Sequence, residues 1–344
     1  MNIKKAIDIA NRVVTKSILF PVSQNVLIDH DKVMRTNLSV EVVLNLDNPV
    51  IEAAILVDCL SLKRILDRTV TPSFSLKNDR LVITDDGSVF ILPVEDPLDY
   101  PRFSAEGETK AEFELNFKTI SKLKFALDKP KLDHVCSRFC IDTDYAVTTD
   151  RYRLAAKRIT TSLTKQIVVS PDFIYLVAYM TEDSVGVTVD DSFVTVNLGE
   201  GVIRARIDDE KYPDWKGVIP NTDDMNQFVI EARDLMDVMQ KVMVFRTEKE
   251  SFCQLDLSRK RLTVSMETPK GFSEISCPVD VKKVQQETQL LIDGVFLLEA
   301  VNYVIDAYSP DEELVISYIP SKPMMITLKR DPKEMIQLIM PARR

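Results

Sequence analysis

Apolar positions recur at helical spacing in six stretches of the 344-residue chain. Over residues 3–16, Ile3, Ala6, Ile7, Ala10, Val13 and Val14 share one helix face, because positions three and four apart lie one above the other. Similar stripes run over 57–69 (Leu60, Leu62, Ile65, Leu66), 117–129 (Phe117, Ile120, Leu123, Leu127) and 170–180, behind Ser170-Pro171-Asp172. The last two cover 231–245 (Leu235, Met236, Met239, Val242, Met243) and 293–306 (Phe296, Leu297, Ala300, Val301, Val304). Their starts are spaced by 53–62 residues, which is a repeat. Between them, alternating apolar and polar positions around polar turns predict β-hairpins over 74–83, 139–147, 187–196, 255–264 and 314–328. One helix packed on a few strands, six times over, predicts an α+β repeat architecture.

Proline with acidic turn residues marks two boundaries, at 95–101 running into 104–108 and at 211–215 running into 220–224. The expected domains are 1–108, 109–223 and 224–344, with two helices each.

Composition removes several functional classes. With 45% hydrophobic and 28% charged residues, the chain is not a disordered one. Only 8 glycines occur, and neither G-x-G-x-x-G nor G-x-x-x-x-G-K-[ST] is present, so no phosphate-cradling loop is expected. His30 and His134 are the only histidines, too few for a histidine triad or a multi-histidine metal site. Cys59, Cys136, Cys140, Cys253 and Cys277 are an odd set without C-x-x-C, as in reduced cytoplasmic proteins. Lys4, Lys5, Asp8, Arg12 and Lys16 interrupt any signal-peptide core, and no run of 18 apolar residues predicts a membrane span. A cytoplasmic protein without cofactors is expected.

Two chemical alternatives have candidate residues. Paired acids (Asp142/Asp144, Asp190/Asp191, Asp208/Asp209/Glu210) could suggest a metal-dependent nuclease, but they sit in predicted hairpin turns, where Asp serves the backbone. His134, Cys136 and Cys140 could suggest zinc, but their even spacing suits one face of a strand and a fourth ligand is missing. No catalytic and no metal residues are assigned.

The net charge of −9 argues against a protein held to nucleic acid by bulk charge, though not against a local basic stripe. By segment, the six helical stretches carry +3, +1, +4, −2, 0 and −3, leaving −12 elsewhere. Lys5, Arg12 and Lys16 fall opposite the first apolar stripe, and Lys118, Lys122 and Lys129 opposite the third. Lys63, Arg64 and Arg68 add to the second. A solvated face explains any one of these alone; three in a periodic array suit sequence-independent phosphate contact.

Three motifs carry a resemblance over nearly the whole chain: Thr148-Thr-Asp-Arg-Tyr-Arg-Leu-Ala155, Lys211-Tyr-Pro-Asp-Trp-Lys-Gly-Val-Ile-Pro220 and Ile339-Met-Pro-Ala-Arg-Arg344. In order and spacing they resemble A-T-D-G-H-R-L-A, F-P-D-Y-x-x-V-L-P and the terminal M-P-M-R-L of the bacterial replicative sliding clamp, the beta subunit of DNA polymerase III holoenzyme. Supporting matches are Pro21-Val-Ser-Gln-Asn-Val-Leu-Ile28, Asp99-Tyr-Pro101 and Ile292-Asp-Gly-Val-Phe-Leu-Leu298. The resemblance implies three similar clamp domains, in a head-to-tail homodimeric ring with helices lining the hole and sheets outside. The ring would encircle double-stranded DNA, be opened by a clamp loader and tether a DNA polymerase, making and breaking no bond. It also implies a partner-peptide pocket at Thr149, Arg151, Tyr152, Arg153, Leu154, Pro213, Val218, Phe296, Leu338, Met340 and Pro341. His134 aligns roughly with a DNA-facing loop position; a plain surface histidine is the other reading.

The chain departs from the pattern at the pocket. Arg151 replaces the glycine, Tyr152 the histidine, Gly217 stands where some relatives have arginine, and the tail ends Ala342-Arg343-Arg344. A differently shaped pocket with a more basic rim is expected, in a divergent clamp of bacterial or phage origin. The non-enzymatic rival is a clamp-fold interaction module that has lost ring function, which the neutral-to-acidic fifth and sixth helices leave open.

Overall fold

Six α-helices form on the six apolar stripes, and five begin at a side chain that caps a free backbone N–H. In the computed structural model, which describes residues 1–13, 21–104, 107–128, 134–258, 260–284 and 289–342, α1 spans Ile3–Asn11 behind the Asn2 cap and α2 spans Cys59–Leu66 behind Asp58. Helix α3 spans Phe117–Ser121, with Asn116 accepting from the Thr119 amide, and α4 spans Pro171–Met180 behind Ser170. Helix α5, Ala232–Val242, lacks a side-chain cap; the Glu312 and Pro310 carbonyls take the Ala232 and Arg233 amides instead. Helix α6, Gly294–Ala307, starts at Asp293. Lys16 and Lys129 lie outside the described residues.

The third stripe is shorter as an α-helix than its periodicity predicts. After Ser121 the chain tightens into a 3-10 turn, Lys122–Ala126. The Leu123 carbonyl there accepts the Thr148 hydroxyl at 2.9 Å, so a tertiary contact takes an acceptor that a continuing helix would use. Lys118 and Lys122 therefore do not share the α-helical phase expected of them. The five predicted hairpins all form, as 73–77/80–85, 139–141/145–149, 185–189/193–197, 252–257/261–268 and 313–318/324–328.

The chain divides into two compact units, 1–121 with 160–209 and 122–159 with 210–344. In the first, an eight-stranded antiparallel sheet runs in the order 55–58, 25–29, 32–36, 40–45, 201–206, 193–197, 185–189, 111–115. Helices α1 and α2 pack together, as do α3 and α4, and strands 73–77, 80–85 and 88–93 form a separate small sheet. In the second, strands run in the order 139–141, 145–149, 153–158, 335–339, 324–328, 313–318, 226–231, 280–283. Helices α5 and α6 pack together there, and a four-stranded sheet runs 271–278, 261–268, 252–257, 289–293. Among the described residues the result is an α+β fold of six α-helices and antiparallel sheets.

The described residues of the segments marked as boundaries include packed side chains. Tyr100 is buried among Leu27, Met34 and Leu56, the Glu95 amide bonds to the Leu56 carbonyl, and Phe103 stacks on Phe193 with centroids 5.1 Å apart. Tyr212 and Trp215 are likewise buried.

Strand 40–45 joins 201–206 from Gly201↔Leu44 to Ala205↔Val40, splicing segments some 160 residues apart into one sheet. A Cβ on Gly201 would lie 2.4 Å from the Val43 carbonyl oxygen, a backbone atom that cannot swing aside. Gly201→Ala is expected to lower unfolding free energy by about 2 kcal/mol, within the usual range for forced strain in a packed site. Urea denaturation measures it; an unchanged midpoint would mean the splice tolerates a wider spacing.

Candidate functional sites: a strand–tail cluster and a basic helix face

The first motif folds as strand 145–149, a tight turn and strand 153–158, and its own polar side chains shape the turn. Asp150 accepts from the Tyr152 and Arg153 amides at 3.0 and 2.9 Å, and the Thr149 hydroxyl donates to the Arg153 carbonyl at 2.7 Å. Arg151 sits at the apex with φ of 74°, in the left-handed region that glycine occupies without cost. This is the position where the family pattern has glycine. Its guanidinium lies 3.4 Å from Asp128.

The tail reaches the motif through the sheet. Arg153 pairs with Ile339 and Leu154 with Leu338, and the Met340 amide bonds to the Tyr152 carbonyl at 2.8 Å. Phe296 joins through Arg153, whose guanidinium carbon stands 4.2 Å from the ring centroid. Thr149, Arg151, Tyr152, Arg153, Leu154, Phe296, Leu338 and Met340 thus form one connected cluster within the second unit, and Pro341 continues the chain beside it. Leu154 and Leu338 are buried, while Tyr152 and Met340 are exposed apolar groups at its surface.

The second motif joins less closely. Pro213 and Val218 are exposed members of the irregular segment 211–220, and among the described residues no hydrogen bond or ring contact ties them to Tyr152 or Met340. The segment is anchored through Asp142, which accepts the Trp215 indole N–H at 3.1 Å and pairs with Lys216 at 3.0 Å. Burial alone would raise the Asp142 pKa, but the Thr143 amide, Lys216 and Trp215 outweigh it and hold the carboxyl below its ordinary value.

The pattern did not single out Asp150, Glu299 and Phe125, which also hold Arg153. Asp150 pairs with the Arg153 Nε at 2.9 Å, Glu299 pairs with its Nη1, and Phe125 faces its guanidinium at 5.6 Å. Glu299 lies one helical turn after Phe296, and that spacing was the available signal.

Lys5 lies on α1 with Arg12 just past its end, Lys63 and Arg64 lie on α2 with Arg68 just past its end, Lys118 lies on α3 and Lys122 on the 3-10 turn. Arg64 and Arg68 are exposed; Lys5, Arg12, Lys63 and Lys118 are each within 4 Å of a carboxylate, and Lys122 donates to the Asp306 carbonyl. His134 caps a 3-10 turn, its Nδ1 accepting the Cys136 amide at 3.0 Å. That corrects the placement of Cys136 on a strand face, since only Cys140 lies in one. No three of His, Cys, Asp and Glu converge as metal ligands among the described residues. No helix among them is long and apolar enough to cross a membrane.

The topology is that of the DNA sliding clamps: the chain has the clamp fold. It is similar to the DNA polymerase III subunit beta from Pseudomonas aeruginosa, at 19% identity and a TM-score of 0.85, and to the sliding clamps from Bacillus subtilis (14%, 0.86) and Caulobacter crescentus (20%, 0.84). Each likeness covers 99% of this chain and 97% of the other. No protein-family model and no curated protein matches the sequence.

The turn geometry makes Arg151 a test of the backbone reading. Arg151→Gly is expected to keep or raise stability by up to about 1 kcal/mol, and Arg151→Val to lower it by about 1–2 kcal/mol, because β-branching is disfavoured at positive φ. Thermal unfolding of both variants measures this. Equal effects would show that the residue relaxes out of the left-handed region.

Proposed function

We propose that the protein is a sliding clamp, a non-catalytic processivity factor in DNA replication. In this reading two copies close head to tail around duplex DNA, a clamp loader opens the ring, and the strand–tail cluster tethers a DNA polymerase in the cytoplasm. The observation that carries the reading is the likeness to clamps over 99% of the chain. The three consecutive helix pairs, α1/α2, α3/α4 and α5/α6, support three clamp domains, 1–108, 109–223 and 224–344.

Closure is supported by two sheet edges. Strand 88–93 ends the small sheet of the first unit and exposes Val89 and Ile91; strand 271–278 ends the four-stranded sheet of the second and exposes Phe272. An edge with free backbone groups and exposed apolar side chains invites pairing with another chain. Joining the first edge of one copy to the second edge of its partner, twice, closes a two-subunit ring and uses both. The pocket would take a peptide with apolar anchors against Tyr152 and Met340. Pro213 and Val218 remain assigned to it on the resemblance alone.

Light scattering is expected to give twice the 39.1 kDa of the chain. Ile91→Asp combined with Phe272→Asp should return the single-chain mass with an unchanged far-UV spectrum. A wild-type monomer at micromolar concentration would remove ring closure and leave an interaction module.

A further inference from the structure

The basic face of the first unit carries its own counter-charges. Lys5 Nζ lies 2.9 Å from both carboxylate oxygens of Glu200, and Lys118 Nζ lies 2.8 Å from Glu182. Lys63 lies 3.3 Å from Asp8 and 3.0 Å from Asp67. Arg12 lies 3.6 Å from Asp8 and covers the Tyr179 ring at 3.4 Å, and the Tyr179 hydroxyl donates to Asp8 at 3.1 Å. Arg64 and Arg68 are exposed, and among the described residues no carboxylate pairs with either. Glu200 comes from the turn before strand 201–206 and Glu182 from the chain just after α4, so distant sequence supplies both.

The Lys5 and Lys118 pairs are largely exposed and contribute little to folding. They matter for what a phosphate senses. A carboxylate about 3 Å from an ammonium cancels most of its field at a distance of about 8 Å, the screening length in physiological salt. Affinity for duplex DNA and its salt dependence both follow the number of phosphates that cations neutralise. A lysine already held by a carboxylate adds to that number only by giving up its partner.

We infer that Glu182 and Glu200 set the DNA affinity of this face: they hold Lys118 and Lys5 in intramolecular pairs, so that phosphates meet chiefly Arg64 and Arg68. The inference rests on the clamp reading and goes beyond it, since that reading names cations alone. A ring that keeps its DNA by encirclement gains mobility from a weak grip, because each firm phosphate contact is a barrier to sliding.

The test is fluorescence anisotropy of the full-length protein with a linear duplex over a series of salt concentrations. Glu182→Gln combined with Glu200→Gln is expected to tighten binding about tenfold at low salt and to steepen the slope of log K against log salt by about 2, at about 0.9 per added phosphate contact. Glu52→Gln with Asp79→Asn, which removes two charges outside these pairs, is expected to leave the slope unchanged. Arg64→Ala with Arg68→Ala is expected to weaken binding. If the glutamate pair changes nothing while the arginine pair weakens binding, the inference fails and the DNA-facing assignment stands. If the Glu52/Asp79 pair matches the glutamate pair, bulk charge is responsible and the inference also fails. If neither glutamates nor arginines matter, the DNA-facing assignment falls and takes the inference with it.

Discussion

Backbone pairing between segments far apart in sequence holds this molecule together. Strand 40–45 is bonded to 201–206, and strand 153–158 to 335–339. Each ladder merges two groups of strands into a longer sheet, on which consecutive helices pack in pairs. The first depends on Gly201, where a side chain would strike the backbone opposite. The second brings the tail against the turn motif, and without it Leu154, Leu338 and Met340 would have no common neighbourhood.

The side chains of the candidate site inherit their geometry from these ladders. Arg153 leaves a strand, stacks on Phe296 of α6 and is held from two sides by Asp150 and Glu299. A guanidinium so enclosed acts as a fixed strut and contributes little free charge. Among the described residues the expected basic rim therefore comes down to Arg151, itself beside Asp128; Arg343 and Arg344 lie outside them. The same economy recurs on the helices, where lysines opposite the apolar stripes meet carboxylates. The acidic total of −9 is thus not all set apart from the basic helical stretches, because part of the acid lies among their cations.

What could be read from sequence was local. Apolar period, caps such as Asp58 and Ser170, and polar hairpin turns each involve neighbouring residues, so all six helices and five hairpins were legible. The early end of the third helix was not, because its cause, the Thr148 hydroxyl, lies 25 residues away. Lys5 and Glu200 are 195 residues apart, and nothing along the chain announces that they meet. The motif at 148–155 was found as a pattern, but its physical content appeared only in three dimensions. Thr149 and Asp150 build a turn whose apex needs a left-handed residue, and this chain places arginine there.

A ring that encircles DNA is held by topology, and topology is directly measurable. The protein, loaded onto nicked circular duplex and passed through a sizing column in moderate salt, should elute with the DNA. After the circle is cut once with a restriction enzyme, it should slide off the ends and elute alone. Retention that is equal on circular and linear DNA, whether high or absent, would contradict the account.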